Sequence, residues 1–139
     1  MALLKPEALL QRDVRTILIL LGYTVLETGK SRSKTACSSC GKRSYATGWQ
    51  GNTPGLPDLY VHCKHWPLPF AIAMELKAAN GKPSEAQKAL ADSGQTKIIR
   101  SVEDALRLLR RMEAHLGDAK RVEVIDRVIN DVESKGKTE

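Results

Sequence analysis

The chain has 139 residues, enough for one domain with a real core and too few for two ordinary ones. It carries 22 Lys and Arg against 16 Asp and Glu, a net charge of +6 that by itself is a weak pointer to an anionic partner. Its three cysteines, an odd number, do not make a disulfide framework, and its longest apolar stretch, residues 16–22, falls far short of the ~18 residues a membrane span needs. The expectation is a soluble, intracellular, cytoplasmic protein with no membrane partner.

Pro6 and Glu7 open a helical pattern in which Leu10, Val14, Ile17, Leu18 and Leu21 recur at three- and four-residue spacing, and Gly22 stops it. Residues 23–28, YTVLET, alternate and are rich in β-branched side chains, which predicts a strand. From Gly29 to Gly55 the chain is polar, rich in Gly and Ser, and free of acids. This segment carries Lys30, Arg32, Lys34, Lys42 and Arg43 together with Tyr45 and Trp49, and a short strand is expected near 45–49. Cations interleaved with aromatics suit a phosphate backbone, since each cation displaces a counterion and each ring can stack on a base. A solvated surface loop has the same composition.

Residues 57–63 and 70–77 read as strands joined across KHWPLP, whose prolines suit a turn or an edge, and they are expected to pair as an antiparallel hairpin. After NGKP breaks the pattern, Ser84 caps a helix to about residue 93, and residues 96–100 form a short strand. Ser101 starts a helix carrying Ala105, Leu106, Leu109 and Met112. Beyond Gly117, Asp118 caps a last helix to about residue 133, with Val122, Ile125, Val128, Ile129 and Val132 along one stripe. That helix either folds back on the domain or meets a partner subunit. The order αβ(β)ββαβα describes an α/β sandwich, divided into a core at 1–116, with the basic loop at 29–55, and a C-terminal helix and tail at 117–139.

The hairpin gathers charge at one end. Glu75 and Lys77 point to one face of their strand while Leu76 points away. Antiparallel pairing lays the start of the first strand beside the end of the second, so Asp58 comes close to Glu75 and Lys77. Two converging carboxylates repel unless a cation sits between them, and hard oxygen ligands favour magnesium or manganese. A lysine there can hold or help deprotonate a water, or neutralise charge building on a phosphate. Singly, each residue also fits a turn or an exposed ion pair; the joint arrangement is what points to chemistry.

Six segments run in an order seen elsewhere: PEALLQ at 6–11, GYTV at 22–25, GLPDLYV at 55–61, MELK at 74–77, GKPSEAQ at 81–87 and RSVEDALRLL at 100–109. Over roughly residues 6–110 the chain resembles the PD-(D/E)XK nucleases, and within them the stand-alone VRR-NUC domains of bacteriophages and bacteria. The resemblance implies a restriction-endonuclease-like core with an added C-terminal helix, and a magnesium-dependent endonuclease in which manganese can substitute. By position, Asp58 and Glu75 would be metal ligands, Leu76 a ligand through its backbone carbonyl, and Lys77 the catalytic lysine. Glu7 would complete the metal site directly or through water, and Gln87 would lie beside the lysine.

Local readings stand next to some of these transfers. Gln11 follows Glu7 at the spacing of a hydrogen-bonded surface pair, and Gln87 follows Ser84 at the spacing of a capping box. Gly55 provides close backbone approach or an unusual dihedral before the Pro-Asp turn. The resemblance further implies branched DNA as substrate and a homodimeric, Holliday-junction-resolving enzyme, because two sites are needed to cut two strands symmetrically. Nicking, flap-cutting or restriction-type cleavage on the same core, and a non-catalytic DNA-binding module, are the alternatives.

The long loop departs from that pattern. CSSC at 37–40 resembles half of a zinc knuckle, with His62, Cys63 or His65 as candidates to complete it. Cys63, however, lies at the far end of its strand, about 20 Å from where the loop rejoins at ~3.3 Å per residue. An intrachain zinc on Cys37 and Cys40 is therefore disfavoured against a site shared by two subunits, a reversible disulfide or no special role. Cys63 is expected to pack as a small apolar side chain, and His62 and His65 to be ordinary surface or edge residues.

Overall fold

Helix α1, Pro6–Leu20, starts with a proline at a position where no amide donor is needed and places Glu7 in its electropositive first turn. The structure, a computed structural model, describes residues 5–29, 34–36, 43–45 and 53–137, with 34–36 and 43–45 described by their backbone alone. After α1 come β1 (Thr24–Glu27), β2 (Lys34–Ala36), β3 (Arg43–Tyr45), β4 (Leu59–His62) and β5 (Ile72–Leu76). They are followed by α2 (Glu85–Asp92), β6 (Lys97–Ile99), α3 (Val102–Leu116) and α4 (Ala119–Gly136). The main sheet has the order β1-β4-β5-β6, antiparallel except for the parallel pair β5 and β6, which α2 connects. The α/β class is the expected one.

Alternation along the central strands decides the layers. Leu59 and Val61 of β4, with Met74 and Leu76 of β5, are wholly buried and share a core with Val14 and Leu18 of α1 and Ala105, Leu106 and Leu109 of α3. Glu75 alternates away from that core and meets Gln87, so α2 lies over the opposite face of the sheet. Strands β4 and β5 are shorter than their sequence patterns. Pro57 has no amide to give, and Asp58 engages its neighbour with a side chain in place of a ladder bond.

Helix α4 folds back on its own domain. Ile125 and Ile129 are buried in the shared core, and Val128 and Val132 pack against it. Burial of each isoleucine contributes about 1.5–3 kcal/mol, which holds the helix on α3. The basic segment differs from expectation: β2 and β3 form an antiparallel ladder with Lys34 opposite Tyr45 and Ala36 opposite Arg43, where a single short strand near 45–49 was expected. These strands are polar, so hydrophobic alternation does not mark them. Residues 46–52 lie outside the described residues. Among the described residues no helix is long and apolar enough to cross a membrane.

The core also holds a carboxylate. Glu113 of α3 is 1% exposed, and its Oε1 accepts from the Tyr23 hydroxyl at 3.0 Å and the Trp66 indole N–H at 2.7 Å. Arg121 Nε of α4 lies 3.6 Å from the same oxygen, while its Nη2 donates to the Leu21 carbonyl at 3.0 Å and its guanidinium covers the Tyr23 ring at 4.6 Å. Trp66 in turn stacks on Phe70 with ring centres 4.7 Å apart. Burial, before any neighbouring group, pushes the Tyr23 hydroxyl well above its ordinary range, so it stays a neutral donor. One carboxylate thus ties the α1–β1 corner, the turn after β4, α3 and α4.

Removing it should leave three donors facing each other in the core. Glu113→Ala is expected to lower stability by about 3–5 kcal/mol, the range for breaking a buried charge pair, and Glu113→Gln, which keeps an acceptor and the shape, by less. Urea unfolding of both variants checks this, and near-equal losses would mean that side-chain volume, not the carboxylate, holds the four elements together.

Candidate active site

The antiparallel register of β4 and β5 pairs Leu59 with Met74, Tyr60 with Ala73 and Val61 with Ile72. One step further puts Asp58 level with Glu75. There the Asp58 Oδ2 accepts the Leu76 amide at 2.8 Å, continuing the ladder past its last backbone pair with a side chain. The other side of Asp58 is held by β1: the Thr28 amide donates to the Asp58 carbonyl at 3.0 Å, and the Thr28 hydroxyl donates to the Pro57 carbonyl. The Pro-Asp pair is thereby gripped between two strands.

Glu75 is 1% exposed, and its Oε1 receives two partners. Gln87 Nε2 donates to it at 2.5 Å, and Lys77 Nζ stands 3.5 Å away, on a side chain that is 14% exposed. The Lys77 amide donates to the Ile99 carbonyl of β6 at 3.0 Å, so the lysine is fixed at its backbone while its head group reaches the carboxylate. Gln87 completes the foreseen capping box and also reaches Glu75. Its Oε1 accepts from the Ser84 amide at 2.8 Å and its own amide donates to the Ser84 hydroxyl oxygen at 3.2 Å, a complete capping box, while its Nε2 is on Glu75. The cap orients the side-chain amide and the carboxylate uses the end that is left.

Gly55 meets both of its expectations too. Its φ is +83°, and a Cβ there would stand 2.9 Å from the Ala86 carbonyl carbon and 3.0 Å from the Ala86 Cβ and oxygen. The turn that delivers Pro57 and Asp58 therefore lies directly on the backbone of α2, one residue before Gln87. Helix α2 is thus held by Gly55 on one side and by Glu75, through Gln87, on the other.

The first helix contributes Glu7 and Gln11 near its start. Glu7 is half-buried in the first turn of α1, and Gln11 donates to Glu27 Oε1 of β1 at 3.3 Å, with Arg15 3.7 Å from the same oxygen. The Gln11 bond therefore runs to a neighbouring strand, not back to Glu7. Among the described residues no three His, Cys, Asp or Glu side chains gather as a set that could hold a metal ion. Leu76 is wholly buried, with its amide on Asp58. The carboxylate pair itself fits a divalent ion in donor chemistry, being hard oxygens from adjacent strands with a lysine and an amide beside them.

Of the basic segment, Lys30, Arg32, Cys37, Cys40, Lys42 and Trp49 lie outside the described residues, and Lys34, Arg43 and Tyr45 are described only as members of β2 and β3. Cys63 is wholly buried, His65 is exposed, and His62 Nδ1 lies 2.6 Å from the Phe70 carbonyl, edge-on to Trp66. Cys63 thus packs in the core, His65 lies at the surface, and half-buried His62 ends β4. Thr28 is the site residue that sequence reasoning missed. It falls in the strand predicted at 23–28, but its grip on Pro57 and Asp58 depends on a pairing across 30 residues that no local pattern displays. Compared with protein-family models, with curated proteins and with solved structures, the chain matches none.

Two glycines separate conformation from contact. Gly94 also has a positive φ, +78°, with nothing within 4 Å of a built Cβ. Gly94→Ala should cost about 1 kcal/mol through the dihedral alone, and Gly55→Ala at least about 2 kcal/mol because α2 must also shift. Urea midpoints measured side by side test this; equal losses would mean that α2 does not rest on the Gly55 turn.

Proposed function

We propose that the chain is a metal-dependent endonuclease hydrolysing DNA phosphodiesters, on a core of the PD-(D/E)XK kind that the VRR-NUC domains share. The observation that carries this reading is a register that sets Asp58 level with Glu75 on the adjacent strand, with Asp58 Oδ2 on the Leu76 amide and with Lys77 3.5 Å and Gln87 2.5 Å from one Glu75 oxygen. Burying Glu75 costs several kcal/mol of desolvation, and an apolar residue at that position would avoid the cost.

Asp58 and Glu75 would hold magnesium, or manganese in its place, with the Leu76 carbonyl and Glu7 as the further ligands that the resemblance implies. When bound, the ion supplies a Lewis acid for the scissile phosphate and lowers the pKa of water near it. The chain's own groups do the positioning. Gln87 locks the Glu75 carboxylate by occupying Oε1 from a capped helix. Lys77, tied at its amide to β6, presents an ammonium at the carboxylate to hold the attacking water or to offset charge that develops on the phosphate. The segment 29–55 supplies cations for the flanking phosphate backbone. Branched DNA, with Holliday-junction resolution by a homodimer, is the substrate class that the resemblance favours.

Cleavage of a labelled four-way junction beside its linear arms, with magnesium, manganese or chelator, tests the reading. Wild type should cut only with metal. Asp58→Asn, which keeps an oxygen to accept the Leu76 amide, and Lys77→Ala should each lose on the order of 10²-fold or more in rate while retaining DNA binding. Paired symmetric cuts confined to the junction would support a dimeric resolvase, and cutting of linear arms a nicking, flap or restriction-type enzyme. Tight binding without cutting, or cutting that survives both substitutions, would sink the proposed active site.

A further inference from the structure

We infer that Arg100 is a positioning residue for Lys77, acting through three backbone carbonyls of the turn that follows the lysine; this rests on the nuclease reading above. Arg100 stands directly after β6. Its Nη1 donates to the Ala78 carbonyl at 2.9 Å, the Gly81 carbonyl at 2.8 Å and the Ala79 carbonyl at 3.3 Å. Its own amide donates to Asp104 Oδ2 at 3.0 Å, and the Asp104 amide is capped by the Ser101 hydroxyl at 3.1 Å, so the arginine is rooted on the first turn of α3.

Three carbonyl oxygens aimed at one point repel one another, and a delocalised cation between them is what permits the arrangement. The turn so held lies against the lysine. Gly81 donates to the Ala78 carbonyl at 2.9 Å, and a Cβ on Gly81 would stand 3.6 Å from Lys77 Cδ and 3.3 Å from the Ala78 oxygen. Lys77 is therefore confined from two sides by consecutive residues of one segment: Ile99 accepts its amide, and Arg100 folds the following turn back along its methylenes. The same stretch of chain then runs to Ser84 and Gln87. Both partners of Glu75 Oε1 are thus joined through a turn whose shape Arg100 sets.

Arg100 is itself exposed, as are Ala79 and Asn80 at the tip of the turn it caps, with Ala78 and Gly81 half-buried. Water can hydrate those carbonyls when the guanidinium is removed, so the fold survives the loss while the aim of the lysine does not. Misplacement of a reacting group by about 1 Å costs on the order of 10²-fold in rate.

The experiment is steady-state cleavage of the DNA substrate that wild type cuts, by wild type, Arg100→Ala, Arg100→Lys, Lys77→Ala and the Arg100→Ala/Lys77→Ala double variant. Arg100→Ala should lose about ten- to a hundredfold in kcat, with KM and the urea midpoint nearly unchanged. Guanidinium ion at low, non-denaturing concentration should restore part of that rate, and Arg100→Lys should be intermediate. In the Lys77→Ala background the same change should cost nothing further. Full kcat in Arg100→Ala, a kcat loss that tracks a stability loss without rescue, or an undiminished effect without Lys77 would each overturn the inference while leaving the nuclease reading intact. Absence of any cleavage by wild type would instead remove that reading, and this inference with it.

Discussion

The register of β4 against β5, with Leu59 opposite Met74, fixes where both carboxylates stand. A slip of one residue in either strand would turn that strand's acid toward α1 and α3 and carry its own apolar pair, Leu59 and Val61 or Met74 and Leu76, out of the core. Those four apolar side chains are wholly buried, so the packing that stabilises the domain also holds the acids in place. Core and site answer to one constraint. Outside the register, the remaining alignment comes from attachments to the strand ends: Thr28 on the Pro57–Asp58 side, Ile99 and Arg100 on the Lys77 side, and α2 across the face between them.

What was legible in the sequence was whatever a short period or a cap can encode. The stripe of α1, the Ser84 and Ser101 caps, the antiparallel hairpin and the approach of Asp58 to Glu75 all follow from spacings of two to four residues. Gln87 shows a limit of such reasoning, because the capping box and the active-site contact looked like competing uses of one side chain. An amide has an acceptor end and a donor end, and here each serves a different role. Gln11 and Thr28 show another limit: their partners lie on strands brought near only by the sheet. The β2–β3 ladder escaped because its residues are polar, leaving no apolar alternation to read.

Glu113 was missed although its position carried a signal. It falls four residues after Leu109 and seven after Leu106, on the buried stripe of α3, where an acid is out of place unless donors await it. Tyr23 and Trp66 are side chains able to donate inside a core, but nothing local says that they converge on that acid. A charged residue on an otherwise apolar stripe is in this sense a prediction of unknown partners.

The environments of the two buried acids separate the structural role of Glu113 from the chemical one proposed for Glu75. Around Glu113 the described partners come from the α1–β1 corner, the turn after β4 and α4; two are neutral aromatic donors, and their displacement would open the core itself. That carboxylate holds distant elements together and has no reason to change partners. Around Glu75 the described partners are a lysine two residues on and a glutamine on a short helix with no buried residues of its own, joined by a turn at the protein surface. Lys77 remains 14% exposed, at the boundary between core and solvent. An ammonium there can exchange a carboxylate for a phosphate or a water without disturbing the apolar face behind it, because Leu76 and Met74 point the other way. Alternation over residues 72–77 thus places apolar core on one side of the strand and Glu75 and Lys77 on the other.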